Sequence, residues 1–491
     1  MGFRLREPAA EGKFSSALGL DALSRVVPAQ TIRAVLAAEG DPGRRERKLT
    51  MTVVVFLVIA MNLYTDLSVG QVMSKLAQGL RYIWPDPDYV VAGDAALSYR
   101  RYQLGARPLV ALFHQVCRPL ATAQTRGAFL FGLRLMAIDG STEDVPDTPA
   151  NLAAFGRPPG GRGAGAFPQV QGVYLAECGT HAIVDAGFWP GHTSERVGAR
   201  RLVRSVGPGM LVMFDRGLHE YDLVAGVRQR AAHVLSRLPA HVAPTPVRAL
   251  PDGTTLAWLA PADRQRRQRG ERLLVRLIEY TLTDPALPGY GERYRLLTTL
   301  LAPAQYPARD LACAYHERWA IELAFDELDS HQRLAGRTLR SLKPLGVIQE
   351  LYGLLLAHYC VRSLMHEAAL AAEVDPDRLS FIHALRVLQA AIPEFQMTAP
   401  EQLPRLYRRV LRDIARKRLP ARRPRSNPRA VKRKMSNFRR KRPGAARPPQ
   451  PSVASWREAV ALWPAPRPAD AGAALLVPGH AALAPPQPCR I

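Results

Sequence analysis

The sequence predicts a chain of the α/β class, in which a helical segment, a strand-rich core and a second helical segment follow one another. Three observations support this prediction. Apolar residues recur with the helical period before residue 125 and again from about 308 to 391. Between these segments, apolar runs of strand length alternate with helical patterns and glycine-rich turns. From 231 to about 301, short strand patterns follow one another between proline, glycine and charged turns, which predicts a β-rich insertion.

The first 125 residues are predicted to form a small helical domain. Helical patterns cover about 28–39, 50–64, 68–83 and 107–124, and Ser68 is a candidate N-cap for the third of them. The most apolar run, Met51 to Tyr64, has 14 residues, whereas a membrane span needs about 20. We therefore expect a buried helix there and no membrane partner. The first residues also lack the apolar stretch of a signal peptide.

Two aspartates follow apolar strand patterns in the next segment, which we interpret as a core domain over 126–391. Asp139 follows the run LRLMAI, and Asp215 follows the run MLVMF; a glycine comes within two residues of each. Strand ends that face a crevice are where α/β sheets place ligands. A single aspartate at such a position is more often a turn or capping residue, so its meaning depends on what else reaches the same edge.

A later segment, YHERWAIELAFDELDSHQR, is predicted to be one amphipathic helix from Tyr315 to Arg333. Its apolar residues share one side when successive residues are placed about 100° apart. A solvated face would mix charges freely and would need no tyrosine. A salt bridge between Glu322 and Arg318 at i, i+4 is the purely structural alternative. A second side of the predicted helix, unlike an ordinary solvated face, carries one hydroxyl, one guanidinium and three carboxylates. They belong to Tyr315, Arg318, Glu322, Asp326 and Asp329.

The charge of the chain points to a polyanionic partner. The formal net charge is +25, and between Arg405 and Arg447 there are 19 lysines and arginines against one acid, Asp413. Such an excess favours nucleic acid or an anionic surface. We expect residues 392–491 to form a basic, proline-rich tail that is largely disordered. The five cysteines include no CxxC pair, which argues against a zinc site and against a disulfide framework and fits a reducing cytoplasm.

Asp139, Asp215 and Glu322 are the candidate catalytic and metal-binding residues. Three carboxylates suit a pair of hard divalent cations, Mg²⁺ or Mn²⁺, because these ions prefer oxygen ligands and keep positions open for water and phosphate. Two such ions about 3.5–4 Å apart can activate a nucleophile and stabilise the leaving oxygen of an in-line phosphoryl transfer. Composition alone does not fix which reaction the chain would carry out.

Three blocks of sequence carry a resemblance to a known family. They are IDGSTEDVPDTPANLAAFGRP, MFDRGLHEYDL and YHERWAIELAFDEL, and the last contains Tyr315, Arg318 and Glu322 in the spacing Tyr, two residues, Arg, three residues, Glu. In these blocks the chain resembles the DDE transposases of bacterial insertion sequences, the insertion element 4 family. The stretch ERKLTMTVVVFLVIAMNLYTDLSVGQVMSKL (46–76) resembles the family's N-terminal domain, and NPRAVKRKMSNF (427–438) is similar to its basic tail. The likeness covers about 20–440.

The resemblance implies a ribonuclease-H-like fold that holds Asp139, Asp215 and Glu322 on magnesium ions, with an insertion between the second and third acids. It also implies a DNA-binding N-terminal domain. The implied reaction is metal-dependent hydrolysis at the ends of an insertion sequence, followed by transesterification that joins the freed 3′-hydroxyl to target DNA. The implied partners are terminal inverted repeats and target DNA, bound by a homodimer that is cytoplasmic and associated with the bacterial nucleoid. Phosphate contacts are expected from Tyr315, Arg318, Lys432, Arg433, Lys434, Arg439 and Arg440.

One position departs from the family signature. A lysine is expected six residues after the glutamate, and this chain has Asp329 there. An anion beside a phosphate path should repel DNA, unless His331, Arg333 or Arg337 supplies the missing positive charge. Two alternatives to an active transposase therefore stay open: a catalytically silent DNA-binding protein derived from one, and a nuclease on the same fold that stops after hydrolysis.

Overall fold

The computed structural model describes residues 4–7, 18, 20–40, 49–83, 92–160, 163–287, 289–318, 320–333, 338–420, 430–431, 439–440 and 449–463. The described α-helices, in chain order, are α1 (Ala29–Ala38), α2 (Met51–Met61), α3 (Val69–Arg81), α4 (Asp94–Leu104), α5 (Arg107–Val116), α6 (Pro149–Phe155), α7 (Glu195–Leu202), α8 (Tyr221–Gln229), α9 (Arg264–Gln268), α10 (Ala308–Glu317), α11 (Ala320–Asp326), α12 (Pro344–Ala371), α13 (Phe381–Met397), α14 (Leu403–Arg416) and α15 (Trp456–Ala459). The described strands are β1 (Phe129–Leu130), β2 (Leu133–Asp144), β3 (Pro159–Gly160), β4 (Gly163–Ala164), β5 (Gln169–Glu177), β6 (Ile183–Pro190), β7 (Met210–Phe214), β8 (His233–Arg237), β9 (Thr245–Ala249), β10 (Thr255–Leu259), β11 (Leu273–Leu282), β12 (Tyr294–Thr298), β13 (Ala430–Val431), β14 (Arg439–Arg440) and β15 (Val460–Leu462).

The N-terminal helices begin where the sequence supplies capping side chains. The Thr50 hydroxyl accepts a hydrogen bond from the backbone N–H of Val53 (3.3 Å) at the start of α2. Ser68 and Gln71 cap each other reciprocally at the start of α3. All residues of α2 except Thr52 are buried, which confirms the prediction of an internal helix over this apolar run.

Two predictions for the N-terminal segment were wrong in detail. Helix α4 was not predicted, and α5 ends at Val116 rather than near residue 124. The early end follows from Pro119, because the proline ring disfavours the helical conformation of Arg118 before it. None of the described helices combines the length and apolar composition that a membrane span requires.

The N-terminal helices do not form a core of their own. Helix α2 packs against α12, and a Cβ at Gly353 in α12 would lie only 2.7 Å from the Val58 side chain. The Tyr352 ring of α12 contacts Phe113 of α5 at 5.5 Å between centroids and Phe188 of β6 at 5.2 Å. One hydrophobic core therefore joins the N-terminal helices, the C-terminal helices and the sheet, and the boundary predicted at residue 125 does not coincide with a break in packing.

Eleven of the described strands form one sheet, and the short pairs β3-β4 and β13-β14 lie apart from it. Its main path runs β6-β5-β2-β7-β8-β12-β11-β10-β9, with β1 paired to β2 and β15 paired to β11. The pairs β6-β5 and β5-β2 are antiparallel, whereas β2-β7 and β7-β8 are parallel. This is a mixed α/β architecture, and its two parallel pairs lie at the centre of the sheet.

The predicted β-rich insertion forms strands β8 to β12, including β9, which was not predicted. These strands do not make a separate sheet, because β8 pairs with β7 on one side and with β12 on the other. The insertion therefore extends the central sheet. The exposed strand β9 ends that sheet, and it carries Pro246, a residue that cannot donate a ladder hydrogen bond and so suits an edge.

The prediction of a largely disordered tail from residue 392 was wrong for two of its parts. Residue 392 lies inside α13, and α14 follows it with an apolar face packed against α12 and α13. Residues 449–463 return to the insertion, where β15 pairs with β11 and the Trp456 ring stacks on His316 at 4.2 Å between centroids. The remaining residues predicted to be disordered lie outside the described residues, except for 417–420 after α14 and the short parallel pair β13-β14.

The His316 imidazole is buried at this junction, which gives a pH-dependent prediction. Its Nε2 lies 2.9 Å from the Tyr280 hydroxyl. Burial, together with the charges of Arg237 and Arg318, lowers the pKa of His316 to about 3. An unfolded histidine has a pKa near 6.5, so below that pH the unfolded chain binds a proton that the folded chain excludes. Stability should therefore fall as the pH drops from about 6.5 toward 3, by about 1.4 kcal/mol per pH unit for this group.

Urea unfolding at pH 7.5 and pH 5.5 checks this prediction. His316→Asn should reduce the loss of stability between the two pH values by about 1 kcal/mol, because the substituted side chain takes up no proton on unfolding. His192→Gln, which removes an exposed imidazole, is the control. An unchanged pH dependence in His316→Asn would contradict the assignment.

Candidate active site

Asp139 and Asp215 lie side by side because two parallel strands end their pairing next to them. In the β2-β7 pair, Ala137 is opposite Met213, and each aspartate follows two residues later. Strand β7 ends at Phe214, so Asp215 begins the loop after it, as predicted. Strand β2 continues to Asp144 through its pairing with β5. Asp139 therefore lies within a strand, which corrects the prediction that it ends one, but it lies where the neighbouring strand stops.

The Asp139 carboxylate has two hydrogen-bond donors. The backbone N–H of Gly140 donates to Oδ1 (2.9 Å), and the Arg318 guanidinium donates to Oδ2 (3.2 Å). Burial raises the pKa of Asp139; Arg318 and Gly140 oppose this rise, and the charge of Asp215 adds to it. The like charge of Asp215 is therefore close enough to influence the Asp139 carboxylate.

A tight turn fixes the orientation of Asp215. Its Oδ1 accepts hydrogen bonds from the backbone N–H groups of Gly217 (2.9 Å) and Leu218 (3.1 Å). A Cβ at position 217 would lie 3.2 Å from that same oxygen, which explains why a glycine follows the aspartate in the Asp-Arg-Gly sequence. The turn thus holds the carboxylate at the end of β7, beside Asp139.

The prediction of one helix from Tyr315 to Arg333 was wrong. Helix α10 ends at Glu317, α11 spans Ala320–Asp326, and a π-helical turn spans Glu327–Gln332. A π-helix closes hydrogen bonds from i to i+5 and therefore shifts the facing of every later residue relative to a 3.6-residue period. Glu327, the first residue of this turn, is buried. Asp329, which comes after the shift begins, pairs with Arg333.

Arg318 connects the helical segment to the two aspartates. Its side chain is buried and pairs with Asp139, and its charge also interacts with Asp215 and Glu322. Tyr315 is buried as well, and the Arg318 guanidinium lies 5.6 Å from the centre of its ring. Glu322 is exposed. Arg318 thus lies among the three predicted acids, while the buried Tyr315 supports its guanidinium rather than facing solvent.

The structure adds a fourth carboxylate, Glu195, that sequence reasoning missed. It lies in the first turn of α7, and the Gln171 amide donates to its Oε1 at 3.4 Å. A Cβ at Gly140 would lie 2.7 Å from the Glu195 carboxyl carbon, so the glycine lets this side chain reach the backbone beside Asp139. Burial raises the pKa of Glu195, and the charges of Asp139 and Asp215 raise it further.

The sequence contained only a weak signal for Glu195. An acid in the first turn of a helix ordinarily indicates a favourable interaction with the helix dipole. No motif relates it to Asp139, because the hairpin of β5 and β6 separates the two residues in the chain and α7 brings them together in space.

Asp329 belongs to a different cluster. The Arg333 guanidinium pairs with Glu143 of β2 and lies 3.5 Å from Asp329 Oδ1. Burial raises the pKa of Glu143 to about 7; Arg333 opposes this rise and the neighbouring Asp329 adds to it. Asp329 thus lies beside Arg333 and faces Glu143, which is on the strand that carries Asp139.

The three residues that could supply the positive charge of the missing lysine either have ion-pair partners or lie outside the described residues. Arg333 is occupied by the two acids of this cluster, and His331 lies 3.4 Å from Asp326. Arg337 lies outside the described residues. Among the basic residues expected to contact DNA, Lys432, Arg433 and Lys434 lie outside them too, and Arg439 and Arg440 form strand β14.

Sequence models of two families match this chain. The model described as "Insertion element 4 transposase N-terminal" matches residues 18–114, and the model described as "Transposase DDE domain" matches residues 130–360. The chain belongs to the insertion element 4 family of DDE transposases. It is accordingly a DDE-type transposase, which is an enzyme that catalyses phosphoryl transfer on DNA.

Two proteins of Escherichia coli are similar to this transposase, one over most of its length and one over less than half. Transposase InsG for insertion sequence element IS4, from Escherichia coli K12, is 28% identical over 417 residues, which are 83% of this chain and 90% of InsG. A second protein of that organism, InsZ, is 26% identical over 221 residues, which are 44% of this chain and 69% of InsZ. The piggyBac transposase in a synaptic complex with hairpin DNA is 13% identical, covering 86% of this chain and 88% of that one, with a TM-score of 0.40.

The donor set of the transposase fits the divalent metal ions that DDE domains generally use. Asp139, Asp215, Glu195 and Glu322 carry hard oxygen donors. The charge of Asp215 raises the pKa of Asp139, and the charges of Asp139 and Asp215 raise the pKa of Glu195. Such mutual repulsion is what a bound cation relieves. Among the described residues, no three acidic, histidine or cysteine side chains converge closely enough to hold one ion, and Arg318 supplies the positive charge beside Asp139.

The cluster around Asp329 yields a prediction for the transposase. Asp329→Lys should raise the free energy of unfolding at pH 8 by up to about 1 kcal/mol, because the contact between two carboxylates becomes an attraction between Lys and Glu143, which exceeds the loss of the 3.5 Å pairing with Arg333. We expect no more than this because the Asp329 side chain is 41% exposed. Affinity for DNA should rise only about threefold, since Arg333 already balances part of the charge of Asp329.

Urea unfolding and DNA binding of Asp329→Lys measure both effects. Asp326→Lys is a matched control that makes the same change of charge in the preceding turn, at a side chain that is 53% exposed. Equal gains in stability from the two variants would mean that the Glu143 contact has no part in the effect. A tenfold gain in affinity for DNA that disappears at high salt would instead show that Asp329 lies close to the bound DNA.

Proposed function

We propose that this transposase cuts the ends of its insertion sequence and joins them to target DNA, with Asp139, Asp215 and Glu322 as the catalytic acids on a ribonuclease-H-like core. The observation that carries this proposal is the register of β2 and β7. It brings Asp139 and Asp215 together at the point where the parallel pairing stops, and Arg318 links them to the segment that carries Glu322.

The three acids would hold Mg²⁺ or Mn²⁺, which when bound would activate the attacking oxygen and stabilise the leaving oxygen of the phosphodiester. Before that, the residues of the chain prepare the site. The turn at Gly217 and Leu218 orients the Asp215 carboxylate. Arg318 and the Gly140 N–H orient the Asp139 carboxylate. Arg318 also lowers the electrostatic cost of gathering these acids in a buried place.

The proposed partners follow from this activity. They are the terminal inverted repeats and the target DNA, bound by two copies of the transposase that pair the two ends. Tyr315, Arg318 and the basic residues Lys432, Arg433, Lys434, Arg439 and Arg440 remain proposed DNA contacts. For Tyr315 and Arg318 such a contact requires a movement of α10 and α11, because both side chains are buried. We also propose that the transposase acts in the bacterial cytoplasm on nucleoid DNA.

A strand-joining assay tests this function. Duplexes that contain the inverted repeats flanking the gene are incubated with the transposase and a labelled target plasmid, in Mg²⁺, in Mn²⁺ and in EDTA. We expect free 3′-hydroxyl ends at the repeat boundary and joined products in the plasmid, both requiring the divalent ion. Nicks without joined products would favour the nuclease. Specific binding without nicks in either ion would favour the silent DNA-binding protein.

A further inference from the structure

Helix α14 has two opposite faces with different chemistry. Its buried face packs against α12 and α13 through residues that recur every three or four positions: Leu406, Tyr407, Val410, Ile414 and Ala415. The opposite face carries five exposed arginines, Arg405, Arg408, Arg409, Arg412 and Arg416. At about 100° per residue these five fall within an arc of about 100°. The helix therefore displays one continuous row of guanidinium groups.

Contacts within the protein account for only part of this row. Within the described residues, Arg409 pairs with Glu394 and Arg416 lies 3.1 Å from Asp413, while Arg405, Arg408 and Arg412 have no carboxylate within ion-pair distance. A helix face that serves only to keep a protein soluble usually mixes acids with bases and uses lysine as readily as arginine. This face contains arginine alone, the residue whose planar fork matches the two oxygens of a phosphate.

The row continues into the most basic part of the chain. Lys417 and Arg418 are exposed directly after α14, and the following stretch 421–447 holds twelve lysines and arginines and no acid. The same stretch is connected to the body of the protein at both ends, because α14 packs on α12 and α13 before it and β15 pairs with β11 after it. The arginine row of α14 therefore lies directly before the most basic stretch of the sequence.

We propose that the arginine face of α14 binds the phosphate backbone of duplex DNA. The row from Arg405 to Arg416 covers twelve residues, or about 16 Å of helix between the first and the last, along which a duplex presents about nine phosphate charges. This inference rests on the proposed function, because it assumes that the polyanion is the DNA on which the transposase acts. Contacts of this kind fix the position of a protein on DNA without reading its sequence.

The test replaces the three arginines that have no ion-pair partner. The triple variant Arg405→Gln, Arg408→Gln, Arg412→Gln is compared with a control that loses three exposed arginines from other elements, Arg126→Gln, Arg228→Gln, Arg309→Gln. Binding to a 30-base-pair duplex of unrelated sequence is measured by fluorescence anisotropy in EDTA at several KCl concentrations. Circular dichroism and thermal unfolding confirm that both variants remain folded, as expected for exposed side chains.

The α14 variant should bind at least tenfold more weakly than the control at 0.15 M KCl. The log–log slope of its affinity against salt should fall by about 0.9 for each lost contact, or about 2.7 for three. A slope and an affinity equal to those of the control would overturn the proposal. It would also be overturned if the variant lost binding only to phosphatidylserine vesicles or only to a single-stranded RNA of equal length.

The outcome is distinguishable from failure of the proposed function. Binding is measured without divalent ions and without cleavage, so a parent that binds duplex DNA through α14 but cuts nothing would support this inference and count against the chemistry. If the parent protein cuts and joins DNA but the α14 variant binds DNA like the control, the proposed chemistry would be supported. The arginine face of α14 would then not be a DNA contact.

Discussion

Asp139→Asn, Asp215→Asn and Glu322→Gln are each expected to lower DNA cleavage at least about 1,000-fold while leaving the protein folded. A metal ion contributes several kcal/mol to the stabilisation of a phosphoryl-transfer transition state, and about 4 kcal/mol corresponds to this factor. The substitutions keep the size of each side chain and remove one negative charge. For Asp139 the loss of a partner of Arg318 has a structural cost as well, so this variant should be the least stable of the three.

Single-turnover cleavage of a terminal-repeat duplex in Mg²⁺ and in Mn²⁺ gives the rates. Binding of Mn²⁺, followed by its electron paramagnetic resonance signal, reports on the same residues without relying on activity. Glu292→Gln is the matched control, because it removes an exposed carboxylate that pairs with Arg237 in the insertion. A variant that cuts within tenfold of the parent, and binds Mn²⁺ as the parent does, would show that its carboxylate is not one of the catalytic acids.

The second large effect is expected from Glu327→Gln, which should cost about 3–5 kcal/mol of folding stability. Glu327 accepts hydrogen bonds from the Arg362 guanidinium (2.8 Å from Nε to Oε2), and it lies 3.1 Å from His358 Nε2 and 3.3 Å from His181 Nδ1. Burial alone would raise the pKa of Glu327, but Arg362 and His181 outweigh it and hold the pKa well below its ordinary value. Removing the charge leaves Arg362 buried without a counter-ion.

A paired substitution separates loss of the ion pair from loss of packing. Glu327→Leu combined with Arg362→Met should be less destabilising than Glu327→Gln alone, because replacing both members of a buried pair avoids the unpaired charge. The shift of the urea unfolding midpoint measures each variant. If Glu327→Gln lost less than 1 kcal/mol, the guanidinium would have access to water and the network would not stabilise the π-helical turn. If the changes in unfolding free energy caused by the two substitutions simply added in the double variant, the two side chains would act independently.

Local sequence patterns predicted many of the elements and gave Asp139, Asp215 and Glu322 as the candidate acids. The apolar run at 51–64, the caps at Thr50 and Ser68 and the strand runs before Asp139 and Asp215 each have their cause within a few residues. Arg318 and Glu322 also remain close enough for their charges to interact across the break between α10 and α11.

Only the tertiary structure decided which of these groups meet. The parallel register of β2 and β7 sets Asp139 beside Asp215, and the packing of α7 brings Glu195 to Gly140. The π-helical turn directs Glu327 to Arg362 and leaves Asp329 beside Arg333 and Glu143. These contacts join residues far apart in the chain, and their free energies depend on burial and register that no local period contains. The sequence by itself therefore determined the chemistry available to this transposase, and the tertiary structure determined the charges that each acid faces.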